Sequence, residues 1–190
     1  MLPAGFYAPC EIRPRLAGRG CGPSTGNIEG TLAVSPDGRL PNIMRYDTSK
    51  TEPRYGLILA YEVNTKDPDA PLTYSHSIPF PANLSKFMIQ FDKTSGLYYS
   101  IASRITEPDK PSARNLLSLM VSKDLRRWDV AADLLDYRRC DPKGVGFQYV
   151  DFIIEGDDIL YLCRTAMNGA HNFHDANYQT FHRIRNFRDL

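Results

Sequence analysis

No stretch of this 190-residue chain keeps an apolar residue on a helical period for three turns. Its apolar segments are short, rich in β-branched and aromatic residues, and bounded by turn residues, which is the pattern of half-buried strands joined by tight turns. The chain therefore reads as all-β. Strands are expected near 28–34, 39–46, 55–62 and 72–78, then 87–92, 97–103, 115–122 and 127–135, then 147–154, 158–164 and 178–185. "KFMIQFDKTSGLYYSIAS" and "FQYVDFIIEGDDILYLCRT" each read as a hairpin, and each opens a set of strands roughly 50–60 residues after the previous one. That spacing suits blades of about four antiparallel strands, and three sets are fewer than the roughly four to eight that close a propeller. The expected architecture is a partial β-propeller over 28–190, entered by a Gly-, Pro- and Arg-rich connecting segment over 1–27. An open β-sandwich is the alternative.

Charge excludes some partners. Lys and Arg number 23 against 22 Asp and Glu, a balance of +1. No broad field is available to attract nucleic acid or an anionic membrane, so any anion recognition has to be local. No apolar run approaches the ~18 residues that span a bilayer, and the first twenty residues lack the apolar core of a signal peptide. Cys10, Cys21, Cys140 and Cys163 show no C-x-x-C spacing, which argues against a zinc ribbon or a redox motif. Cys10 and Cys21 bracket a loop and could bridge in an oxidising compartment, while Cys163 in "ILYLCRT" reads as a buried small residue.

Within the first set, "EGTLAVSPDGRLPNIMR" begins with Glu29 and ends with Arg45. Ser35-Pro36-Asp37-Gly38-Arg39 is a turn with a mechanism: Pro36 presets φ at the first turn position, and Gly38 can take the left-handed conformation that closes a three-residue loop. Pairing back from that loop sets Glu29 beside Arg45, give or take a bulge. Taken alone, the pair reads as a cross-strand ion pair on a wet surface, contributing well under ~1 kcal/mol.

Four stretches taken together resemble the later half of the sialidase (neuraminidase) superfamily, in particular bacterial sialidase-like propeller proteins. They are "EGTLAVSPDGRLPNIMR", "ARNLLSLMVSKDLRRW", "GFQYVDFIIEGDDILYLCRT" and "HDANYQTFHRIRNFRDL". In that superfamily a Glu opens a strand, a D-G turn follows, and an Arg closes the next strand about sixteen residues on; Glu29, Asp37-Gly38 and Arg45 match. Arg114 matches a second arginine ahead of an Asp-box-like motif, and Tyr149 in "FQYVDF" matches a tyrosine on an inner strand. Ser122-Lys123-Asp124-Leu125-Arg126-Arg127-Trp128 departs from the usual S/T-x-D-x-G-x-T-W: it lacks the Gly and is one residue shorter. This form is similar to motifs of five-bladed furanosidase propellers. The family's acid/base Asp and first triad arginine precede the Glu hairpin, and residues 1–28 contain no Asp.

The resemblance implies a retaining exo-glycosidase acting on terminal sialic acids, with Tyr149 as nucleophile and Glu29 as its base. The anomeric carbon of a sialic acid bears a carboxylate, so an attacking Asp or Glu would meet like-charge repulsion, whereas a neutral phenol would not. Tyrosine, with a reference pKa near ~10, then needs a base to accept its proton, and sialidases are exceptions to the usual two-carboxylate arrangement for this reason. Arg45 and Arg114 would clamp the carboxylate, because a guanidinium fork offers paired hydrogen bonds that an ammonium cannot match. His174, Asp175 and Asn177 of "HNFHDAN" would line the pocket or tie the last blade together. The spacing there fits neither a helical H-E-x-x-H nor a zinc finger, so neither a metal nor another cofactor is expected. Without the resemblance, each of these residues has a structural reading instead: ion pairs for the arginines and a core aromatic for Tyr149. The expected partner is a glycan or sialoside, without nucleic acid or membrane, together with a second copy of the chain or a missing N-terminal half of the ring. Members of the family are often secreted or periplasmic. Two other readings remain open: a furanosidase-like propeller glycosidase, and a non-catalytic sugar-binding or assembly module.

Overall fold

The structure is a computed structural model that describes residues 26–47, 56–67, 69–82, 85–105 and 113–190. Cys10, Cys21 and nearly all of the expected connecting segment over 1–27 lie outside the described residues. Eleven strands follow one another: β1 (Gly26–Leu32), β2 (Pro41–Asp47), β3 (Leu57–Glu62), β4 (Thr73–Pro79), β5 (Ile89–Asp92), β6 (Leu97–Ser103), β7 (Leu116–Ser122), β8 (Asp129–Asp136), β9 (Gly146–Glu155), β10 (Asp158–Ala166) and β11 (Tyr178–Ile184). They form three antiparallel meanders in the orders β1-β2-β3-β4, β5-β6-β7-β8 and β9-β10-β11. The fold is a partial β-propeller.

Strand alternation builds the stack. Ile43, Ile58, Ala60 and Ile78 of the first sheet share one core with Phe80, Phe87, Ile89, Tyr98, Met120 and Trp128. Tyr99, Ile101, Leu117 and Leu119, on the other face of the second sheet, share a second core with Phe147, Val150, Phe152, Ile159, Tyr161 and Cys163. Each fully buried side chain of this size contributes roughly 1.5–3 kcal/mol. Polar bonds cross the same seams: the Tyr98 hydroxyl donates to the Val34 carbonyl at 2.6 Å, while Ser103 and Gln90 donate to the Phe147 and Phe152 carbonyls. Cys163 is free, and burial pushes its thiol up to about 11.

The third sheet has the three strands expected over 147–185. After β11 the chain turns at Asn186, in a left-handed conformation, into a single 3-10 turn, Phe187–Asp189. The residues of that turn hold the second sheet. Phe187 enters the second core edge-on to Tyr99, 4.9 Å between ring centroids, and Arg188 grips the buried Asp92 carboxylate with two bonds of 2.7 and 2.9 Å.

The Ser122–Trp128 loop shows why its missing glycine is tolerated. The Ser122 hydroxyl accepts from the Leu125 amide at 2.9 Å, and Asp124 accepts from the Arg126 and Arg127 amides at 2.8 and 2.9 Å. Leu125 itself takes φ +63° and is held there by burial in the first core, while Trp128 packs edge-on to Phe80.

Candidate active site

The β1–β2 hairpin closes through a three-residue loop. The Gly38 amide donates to the Ser35 carbonyl and the Ser35 amide to the Arg39 carbonyl, both at 2.9 Å, with Gly38 at φ +81°. Pairing back along the strands sets Ile28 opposite Arg45, and between Ile28 and Thr31 the register slips. Glu29 and Gly30 thus form a bulge, with Glu29 at φ +56°. Bulges re-aim side chains. Here the bulge brings the Glu29 carboxylate within 2.9 Å of the Arg45 guanidinium, which is only 8% exposed. A Cβ at Gly30 would lie 2.1 Å from Asn42 Oδ1, so the Asn42 amide would have to swing aside.

A second bulge arms the third sheet. Between Leu162 and Arg164 of β10 the pairing with β9 slips, so Tyr149 and Val150 face the single residue Cys163. Tyr149 sits there at φ +54°. The bulge keeps Phe147, Val150 and Phe152 in the core while turning the Tyr149 phenol away from it. Left-handed backbone at a non-glycine residue costs of order 1–3 kcal/mol and gathers at functional sites.

The two bulges meet. The Tyr149 phenol faces the Glu29 carboxylate closely enough to feel its charge and its hydrogen-bonding pull, and the Arg45 and Arg114 guanidiniums both act on the same phenol. Burial, then the negative charge of Glu29 and its hydrogen bond, raise the Tyr149 pKa above the usual phenol value, and the two arginines pull the other way. The group is therefore a neutral phenol at ordinary pH, set against a carboxylate that can accept its proton.

Arg114, 8% exposed, precedes β7, where it forms a parallel bridge to Gly146, and its carbonyl accepts from the Phe147 amide at 2.8 Å. Its guanidinium donates to the Gln148 side chain and lies 5.4 Å from the centroid of the Phe173 ring. Gln148 in turn donates to the Phe173 and His174 carbonyls at 3.2 and 2.7 Å.

Of the "HNFHDAN" residues, it is the backbone that reaches the site. Asn177 clasps the neck of its loop, donating to the Met167 carbonyl at 2.9 Å and accepting from the Met167 amide at 3.2 Å. Asp175 accepts from Asn172 and contacts His171 and His174, bonds that bring its carboxyl down to about 2. The side chains of His174 and Asp175 are exposed. These three residues tie the loop together, and the His174 carbonyl, rather than its ring, faces Gln148. Among the described residues no cluster of three or more His, Cys, Asp or Glu could hold a metal ion.

Sequence reasoning missed Gln148, Arg164 and Phe173. A signal existed for the bulge that positions Gln148: the apolar positions Phe147, Val150 and Phe152 step by three and then by two.

No protein-family model and no curated protein matches the sequence. Solved structures match the fold. An α-L-arabinanase from Penicillium chrysogenum superposes with a TM-score of 0.54 at 13% identity, over 97% of this chain and 49% of that one. An exo-β-1,3-galactanase from Clostridium thermocellum gives 0.53 at 13% identity, over 83% and 32%. The α-L-arabinofuranosidase of Fusarium graminearum gives 0.51 at 11% identity, over 96% and 50%. The chain thus spans at most about half the length of these glycoside hydrolases, and it shares their β-propeller fold. They act on arabinan- and galactan-type substrates and are not sialidases, so the likeness extends to glycoside hydrolase propellers and carries no sialidase identity.

Proposed function

We propose that this chain carries the glutamate, the tyrosine and two arginines of a retaining propeller glycosidase that removes a terminal sugar bearing a carboxylate, of the sialic acid type. The observation that carries the reading is the convergence of two bulged strands that sets the Tyr149 phenol against Glu29, with Arg45 and Arg114 bearing on the same phenol. In the first step Tyr149 attacks the anomeric carbon, its proton passes to Glu29, and the leaving oxygen departs with its electron pair. In the second, water displaces the phenol, which regains its proton from Glu29. Two nearly buried guanidiniums answer a carboxylate better than they answer a neutral sugar.

Supporting a second reading, a neutral furanoside substrate, are the arabinan-acting enzymes among the fold neighbours. The 190-residue chain should be offered a 4-methylumbelliferyl sialoside and a 4-nitrophenyl α-L-arabinofuranoside side by side. Release from the sialoside alone, with a fluorinated sialosyl donor leaving added mass on the Tyr149 peptide, is the expected result. Turnover of the arabinofuranoside alone would replace the first reading by the second.

A further inference from the structure

Arg164 lies in β10 opposite Gln148, beside the bulge that carries Tyr149. Its guanidinium carbon sits 5.1 Å from the centroid of the Tyr149 ring, and one amino group donates to the His174 carbonyl at 3.2 Å. Among the described residues no carboxylate pairs with it. A cation over the face of an aromatic ring is attracted to that ring, and more strongly once the ring carries negative charge. The other charged groups facing the phenol are Glu29 from β1, Arg45 from β2 and Arg114 ahead of β7. The neighbouring loop supplies the His174 carbonyl that accepts from Arg164, while the Tyr149 amide donates to the Ser85 hydroxyl at 3.5 Å.

We infer that Arg164 is a positioning residue of the site: held over the Tyr149 ring by the His174 carbonyl, its guanidinium stabilises negative charge as that charge develops on the phenol. The inference rests on Tyr149 as the nucleophile. In the second step the bond between the Tyr149 oxygen and the anomeric carbon breaks, and its electron pair returns to the phenol oxygen. Water supplies the new bond to carbon, Glu29 returns the proton to the phenol, and the proton lost by the water passes to solvent. The cation stabilises the ring while it leaves, so Arg164 acts mainly on this second half.

The test begins without substrate. Protein labelled with 13C at the tyrosine ζ carbons is titrated by NMR, the Tyr149 signal being assigned by its loss in Tyr149→Phe. Arg164→Gln should raise the Tyr149 midpoint by roughly 0.5–1 in pH, and Arg164→Lys should restore part of the shift. Arg164→Met, which keeps the aliphatic stem, serves if the Gln variant loses its cooperative melt. An unchanged midpoint in a folded Gln or Met variant overturns the inference. With an activated aryl sialoside, Arg164→Gln should lower kcat about tenfold, with the glycosyl adduct accumulating on Tyr149. If Tyr149→Phe leaves turnover intact, the nucleophile assignment fails, and the titration still reports separately whether Arg164 acts on the phenol.

Discussion

The Tyr149 phenol, on the first strand of the third sheet, faces the Glu29 carboxylate, on the first strand of the first sheet. Both residues sit at β-bulges with left-handed backbone, so each is displaced from the face that simple alternation would give it. Glu29→Gln should lower the Tyr149 titration midpoint. The carboxylate now disfavours the phenolate by its charge, and removing that charge removes a cause of the raised value. The raised phenol also sets a sign for stability: its contribution is complete below the unfolded phenol value near ~10 and is lost as pH rises through the higher folded value. An alkaline melt series on wild type and Glu29→Gln checks this, with the mutant expected to show the smaller alkaline loss from this group.

General acid help is worth roughly 10²–10⁴-fold, and none of the residues assigned to the site supplies it. The 190-residue chain should therefore hydrolyse natural sialosides weakly and activated aryl sialosides, which scarcely need that proton, far better. Equal rapid turnover of both would mean that another residue donates the proton.

Gly146→Ala should loosen the arginine without touching it. A Cβ at Gly146 would lie 2.8 Å from the Phe173 carbonyl oxygen and 3.0 Å from its Cβ, so the Phe173 segment must move. That segment stacks on Arg114 and receives the Gln148 amide. Overpacking of this kind costs about 1–3 kcal/mol, readable in a denaturant melt, and KM for an anionic substrate should rise.

Phe187→Ala should cost about 3–5 kcal/mol, since its ring fills the core between the second and third sheets against Tyr99. Arg188→Ala should destabilise by a different route, freeing the buried Asp92 carboxylate, which Arg188 holds well below the usual carboxylate range. That contribution is present above the ordinary carboxylate value and fades as pH falls through the depressed one. The wild-type advantage over Arg188→Ala should therefore shrink in an acid melt series.

The outer face of the third sheet should associate. Ile153, Leu162 and Phe181 are 57%, 44% and 65% exposed there and lie on neighbouring strands. Apolar patches of this kind on soluble proteins mark contact surfaces. Light scattering should show concentration-dependent association that Ile153→Lys with Phe181→Lys abolishes; a monomeric wild type at micromolar concentration would contradict this.

Strand positions were legible because turn chemistry and period-two alternation act locally: all eleven expected strands occur, with ends moved by no more than about two residues. The Glu29–Arg45 pairing was legible for the same reason, being fixed by the Pro36–Gly38 turn. What alternation cannot express is a slip in it. The bulges at Glu29 and Tyr149, the cation over the Tyr149 ring, and the use of the His174 carbonyl in place of its side chain lie outside what regular alternation encodes.

The bridge between Arg114 and Gly146 stitches the second sheet to the third, whereas Glu29 belongs to the first. The meeting of Tyr149 with Glu29 spans most of the chain in sequence and needs both sheet interfaces docked before its ends can come together. Contacts of such long sequence separation repay their loop-closure entropy only after the local hairpins are in place. Assembly of this contact is therefore expected to be among the last events of refolding, and a probe on the Tyr149 phenol would lag behind probes of the β1–β2 and β9–β10 hairpins in a stopped-flow experiment.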